Sequence, residues 1–326
     1  AYVCDVVVDA INQHKEHTPN RNFILGLTTG RTPLGVYHEL VRRYEAGEVS
    51  FKRVEVYSLD EFYPIKSDAQ QSRSYRIKEE LLNRIDILPE NVHLIDGDIP
   101  LERVSKYCMD YDRKARNIDL MVIGMGEQGQ VGFNEAGSYA KSVTRMVQLS
   151  HQSRKTQSGL FYGIENTPRL AITMGLNTVM SAKRIILMAW GENKASILRK
   201  VVEEDATRLI PASLLQNHSN IEAVVDDPAA EILTVKKAPW LVGTCDWTPR
   251  LVRKAVVWLC EVVKKPILKL TYQDYISNSL GEMLDVVGME YSDVNIKVFN
   301  DLQHTITGWP GGKPNADDST RPVPSS

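Results

Sequence analysis

Cysteine is scarce in this chain of 326 residues: Cys4, Cys108, Cys245 and Cys260 are the only ones, and no two form a CxxC pair. Such spacing suits neither a disulfide framework nor a thiolate zinc site, and points to reduced thiols in a cytoplasmic protein. The seven histidines form no HxH or HExxH pattern, so no metal is expected. An excess of one charge is lacking too. The formal net charge is −2, from 39 basic and 41 acidic residues. Neither nucleic acid nor a membrane surface is therefore an expected partner. Long apolar runs are also missing: "AVVWLCEVV" (255–263) is broken by Glu261 and is too short to span a bilayer. The opening stretch, "AYVCDVVVDAINQHKEH", carries Asp5 and Asp9 at helical spacing. It reads as an amphipathic helix and not as a secretion signal.

What is present is an ordinary globular composition, 43% hydrophobic and 25% charged. Over the first two thirds, short apolar runs alternate with helical patterns. Strands are expected at 22–27, 54–59, 91–95, 118–125, 184–190 and 221–225. Helices are expected at 33–47, 74–85, 101–116 and 192–203. Strands separated by helices need crossovers. The expected fold is therefore α/β: a doubly wound, mostly parallel, Rossmann-like sheet with helices on both faces. From about residue 240 the pattern changes to loop signals and then an amphipathic helix. The expected division is an α/β domain over 1–240, a C-terminal helical extension packing on it over 241–308, and a linker-like tail over 309–326, where "WPGGKPNADDSTRPVPSS" is rich in Pro, Gly and Ser.

Ligands of such sheets bind at the carboxyl ends of strands, and the loops at 28–32, 60–63, 126–135 and 191–194 all follow expected strands. Thr28, Thr29, Gly30, Arg31 and Thr32 precede a helix opening at Pro33. Free N–H groups and hydroxyls there suit an anion, and suit a plain turn capped by Thr32 equally well. Asp60 and Glu61 end a strand and point to opposite sides. One faces the crevice, or both are solvated. Lys194 opens a helix, where it can hold a phosphate or simply face water. "IGMGEQGQVGFNE" (123–135) offers a glycine-rich loop and then Glu135, with Gln128 and Gln130 between the glycines.

Four motifs in this order, "LGLTTGRTPLGVY", "SLDEFY", "IDLMVIGMGEQGQVGFNE" and "AITMGLNTVMSAKRIILMAWGENKA", resemble the glucosamine-6-phosphate deaminase family, within the wider sugar-phosphate isomerase and 6-phosphogluconolactonase fold. The similarity covers roughly 1–235. "FNE" and "MGL" favour the deaminase branch. The resemblance implies aldose–ketose isomerisation of an amino-sugar phosphate with loss of ammonia, giving fructose 6-phosphate, without a metal or organic cofactor. It places the phosphate on Thr28, Thr29, Gly30 and Thr32, with Lys194 adding charge. It makes Asp60 the base and Glu135 an acid supporting ring opening. As partners it implies a small sugar phosphate, a homo-oligomer and a downstream deacetylase-like domain.

The departures fall on one loop. The family reads G-x-D-G-H-I-A-F-N-E there, and its histidine opens the sugar ring. Here Gln130 holds the histidine position and Gln128 the aspartate position. Amides bind a sugar but do not exchange protons usefully. Arg31 replaces a small residue. The family's phosphate arginine falls at Ser158 and Gly159, with Arg154 the nearest arginine, so Arg31 is the candidate for the missing charge. Two functions follow: a deaminase with impaired turnover, or a non-catalytic sugar-phosphate-binding module regulating a fused or partner enzyme.

Overall fold

The computed structural model describes residues 1–307; the tail expected over 309–326 lies outside the described residues. The chain divides into two compact units, at Leu233 and Thr234. The sequence put the boundary at 240; the units divide earlier because Ala238 and Trp240 are buried in the second core.

The strands of the first unit are β1 (Phe23–Leu27), β2 (Val54–Ser58), β3 (Asp60–Tyr63), β4 (Val92–His93), β5 (Leu120–Gly124), β6 (Arg145–Gln148), β7 (Leu170–Thr173), β8 (Ile185–Ala189) and β9 (Ile221–Val225). Six build one parallel sheet in the order β4-β2-β1-β5-β8-β9. Both faces of this sheet are covered, and the strand sequence shows why. On β5, Leu120 and Val122 enter one core, while Met121 and Ile123 enter the other. On β8, Ile186 and Met188 join the first, and Ile185, Leu187 and Ala189 the second. Alternating side chains that are all apolar demand helices on both sides. The helices Tyr2–His17 and Leu34–Glu45 cover one face; Leu101–Lys114 and Ala195–Glu203 cover the other. The doubly wound expectation is met.

One element differs from its reading. Residues 60–63, expected as a loop, form β3, which pairs antiparallel with β7, itself paired antiparallel with β6. The backbone bends at Leu59, whose N–H donates to Leu27 O and whose carbonyl accepts from Met174 N. The chain thus passes from one sheet to the other within a single residue. All four residues of β3 are buried, which a solvated loop would not be.

The second unit is helical. Thr248 caps the helix Pro249–Val263 through its side chain. Its buried face, Val252, Ala255, Val256 and Leu259, meets Tyr275, Met283, Leu284, Val294 and Val298. The Tyr275 hydroxyl donates to Asn295 Oδ1, and Asn295 Nδ2 donates to Leu270 O. Among the described residues, no helix is long and apolar enough to cross a membrane.

Candidate active site

Numbered along the sheet's own strands, the order is 3-2-1-4-5-6, and it reverses between β1 and β5. A crevice opens outside the carboxyl ends of strands at such a reversal. The end of β1 delivers Thr28, Thr29, Gly30, Arg31 and Thr32 there. Thr28 is buried, and its carbonyl accepts from the Tyr37 hydroxyl. Trp190, after β8, donates its indole N–H to Thr32 O at 2.9 Å. The Thr32 side chain lies against Gly124 at the end of β5. The residue capping the following helix is Pro33 and not Thr32, and no side-chain cap bond is made there, so the capped-turn reading of Thr32 is corrected. Gly30 has φ +113°, and a side chain on it would meet nothing within 4 Å. Conformation requires the glycine, and the space in front of it is open. Arg31 is exposed.

Asp60 and Glu61 are both buried, in opposite circumstances. Glu61 accepts from Phe62 N, Ser72 Oγ, Arg73 N and Ser74 N. It therefore satisfies the positive end of the helix Arg73–Glu80. Asp60 is 2% exposed, and neither of its oxygens has a hydrogen bond. Burial pushes its carboxyl up to about 6; Arg73 pulls it back and Glu61 adds to the rise. The glycine-rich loop is shaped around this carboxylate. A Cβ on Gly132 would stand 3.1 Å from Asp60 Oδ2, and φ there is +56°. Space and backbone both call for glycine.

The rest of that loop turns in other directions. Gln130 folds back so closely that a Cβ on Gly126 would lie 2.1 Å from its Cδ. Its Oε1 accepts from Gln128 N at 3.0 Å. The Gln128 side chain is exposed. Glu135 accepts from Ser150 N at 3.0 Å, at the start of the helix His151–Gln157. Lys194 is half-buried, and desolvation lowers its pKa while Glu127 works against the fall. Asn193 donates to Glu127 at 2.8 Å, so the 191–194 loop and the glycine-rich loop adjoin. Arg154 donates to the carbonyls of Thr167 and Ile164 and is tied to the backbone.

Sequence reasoning missed Arg73. Its Nε lies 3.3 Å from Asp60 Oδ1, and its Nη1 donates to Thr29 Oγ1 at 2.5 Å. It joins the loop after β1 to the carboxylate of β3. A signal existed: a cation at the first position of a helix sits against the helix dipole. Together these groups bring an open glycine turn, a buried carboxylate whose pKa is pushed up to about 6 and a guanidinium between them into one place.

The family of glucosamine-6-phosphate isomerases and 6-phosphogluconolactonases matches residues 1–225. A protein of Bacteroides thetaiotaomicron, whose name likens it to glucosamine-6-phosphate deaminase, is 44% identical over 98% of this chain. The chain spans 48% of that relative, about half its length. The glucosamine-6-phosphate deaminase of Halothermothrix orenii is 38% identical over 64% of this chain and 88% of its own. Among solved structures, a monomeric glucosamine-6-phosphate deaminase superposes with a TM-score of 0.66 at 32% identity, covering 70% of this chain and 93% of that one.

Proposed function

The chain belongs to the family of glucosamine-6-phosphate isomerases and 6-phosphogluconolactonases, and from that premise we propose that it isomerises and deaminates an amino-sugar phosphate, with fructose 6-phosphate and ammonia as products. One observation carries the reading. Asp60 is a buried carboxylate without hydrogen bonds, its pKa pushed up to about 6, and Arg73 links it to Thr29 of the loop 28–32. A structural aspartate is satisfied, as Glu61 is; a general base works best unsatisfied and near the operating pH. In this reading the loop 28–32, with Lys194 and Arg31, takes the phosphate, and Asp60 moves a proton between C2 and C1 of the open sugar. Glu135 assists ring opening. The test is release of ammonia and formation of fructose 6-phosphate from glucosamine 6-phosphate by the purified protein. Formation of neither product, at substrate concentrations that saturate the protein, refutes it.

A second reading is favoured by the folded-back Gln130 and exposed Gln128: a module that binds the sugar phosphate and regulates a fused or partner enzyme. Calorimetric binding without ammonia release supports this one. A deacetylase-like domain is part of the proposal as a partner, and the 48% share of the Bacteroides thetaiotaomicron relative that this chain spans leaves length for one. Action in the cytoplasm and as a homo-oligomer complete the proposal, and light scattering on the purified protein tests the latter.

A further inference from the structure

Arg73 has no role in the reading above, and its surroundings are not those of a structural arginine. It opens the helix Arg73–Glu80, where the backbone's positive end disfavours a cation. Its Cζ lies 5.1 Å from the ring centroid of Phe62 and 4.7 Å from that of Phe133. Nη1 reaches Thr29, in the loop assigned to the phosphate. Nε is 3.3 Å from Asp60 Oδ1, yet Nε and both Asp60 oxygens complete no hydrogen bond. The two are close enough for Coulombic attraction and misaligned for a hydrogen bond. Three buried polar atoms therefore share one small space unsatisfied. That arrangement is costly, and a ligand presenting both an acceptor and an acidic C–H would relieve it.

We propose that Arg73 is a catalytic residue of the isomerisation: the electrophile that holds the substrate oxygen on which negative charge develops. The inference rests on the reading of Asp60 as the base. As Asp60 takes the C2 proton, the C–H pair becomes the C1–C2 double bond and the carbonyl pair moves onto O1. A guanidinium N–H fixed beside the base, and shielded by Phe62 and Phe133, meets that charge without reorganising. The proton from C2 then returns to C1, and O1 gains the proton that the nitrogen on C2 gives up. Water adds to the resulting iminium at C2 and ammonia leaves. Atoms and electrons balance without any oxidant or reductant. The site thus selects substrates with a carbonyl next to the carbon that loses the proton.

The test compares the wild type, Arg73→Met and Arg73→Lys with two ligands. One is a five-carbon aldonohydroxamate phosphate, whose planar anionic end imitates the enediolate. The other is glucitol 6-phosphate, neutral at that end. Arg73→Met is expected to weaken the hydroxamate about 10²-fold or more, the size of one lost oxyanion donor, and glucitol 6-phosphate less than about 3-fold by the same reasoning. Arg73→Lys keeps the cation and should fall between, which guards against a misfolded Met variant. Equal weakening of both ligands would make Arg73 a phosphate anchor, and no change in either would make it structural; both overturn the proposal. Absence of ammonia release by the wild type refutes the deaminase reading instead, and the hydroxamate preference still decides Arg73.

Discussion

Asp60 owes its character to what surrounds a single carboxyl group. Burial raises its pKa to about 6; Arg73 lowers it, Glu61 raises it, and the buried Tyr37 also lies within its field. As the proposed base, Asp60 must be deprotonated, so kcat/KM should rise with pH through about 6 and level off above. Arg73→Met removes the lowering influence and should move this acid limb to higher pH; an unmoved limb shows that the titrating group is not Asp60. Asp60→Asn should abolish turnover and leave sugar-phosphate affinity nearly intact, as isothermal titration would show. The amides make a complementary case. Proton transfer in the transition state is typically worth about 10²–10⁴-fold. Gln128→Asp with Gln130→His should raise kcat more than it lowers KM, because the restored step is made in the transition state. Wild-type turnover equal to that of a histidine-bearing relative would show that ring opening is served by another group. Strand ends and glycine loops marked these positions as candidates, and their expected roles came from the family resemblance. Arg73 was not, because it lies twelve positions beyond Glu61 and reaches Asp60 only through the fold.

At the scale of elements, the parallel sheet was readable and the small sheet was not. Strands β5 and β8 are runs of five apolar or small residues. By contrast β6 is "RMVQ", only partly buried, and β3 is "DEFY", half of it acidic. Strands of four with mixed polarity carry too few repeats for a period to stand out. What makes β3 a strand is tertiary: β7 supplies its ladder, and the helix Arg73–Glu80 absorbs the charge of Glu61. Glu61 thereby ties strand to helix start and sets where Arg73 sits. Glu61→Gln keeps the shape but turns an amide donor toward N–H and O–H donors. It should cost about 2–3 kcal/mol in chemical denaturation, the scale for hydrogen bonds to a charged group. Turnover should fall as well, since Arg73 loses its platform. Unchanged stability would mean that the helix start is satisfied without Glu61.

Across the whole molecule, the sheet separates what works from what holds. The candidate chemistry gathers at the carboxyl ends of β1, β2 and β5. At the amino ends lies Asp119, which accepts two bonds from Arg21, one from Lys183 and one from Ile24 N. Burial alone would raise its pKa, but these partners outweigh burial and the net shift is downward. Asp60 and Asp119 therefore oppose each other in their linkage to pH. A carboxyl whose folded pKa is raised binds protons more tightly in the native state, so Asp60's contribution falls as pH climbs from its unfolded value toward about 6. A carboxyl whose folded pKa is depressed adds stability above its unfolded pKa and loses it as pH falls through the folded one. Asp119→Asn should accordingly destabilise the protein by about 3 kcal/mol at pH 7, the cost of stranding paired cations and an N–H. The deficit should shrink toward zero as pH drops below the depressed pKa, where the wild-type carboxyl is protonated too. Because Asp119 sits at the opposite end of the strands from Asp60, kcat/KM at pH 7 should stay within about 2-fold of wild type while the variant remains folded, as expected for distant, independent sites. A deficit that persists at low pH would show that Asp119 acts through packing, and a large loss of kcat/KM would show that the two ends of the sheet are coupled.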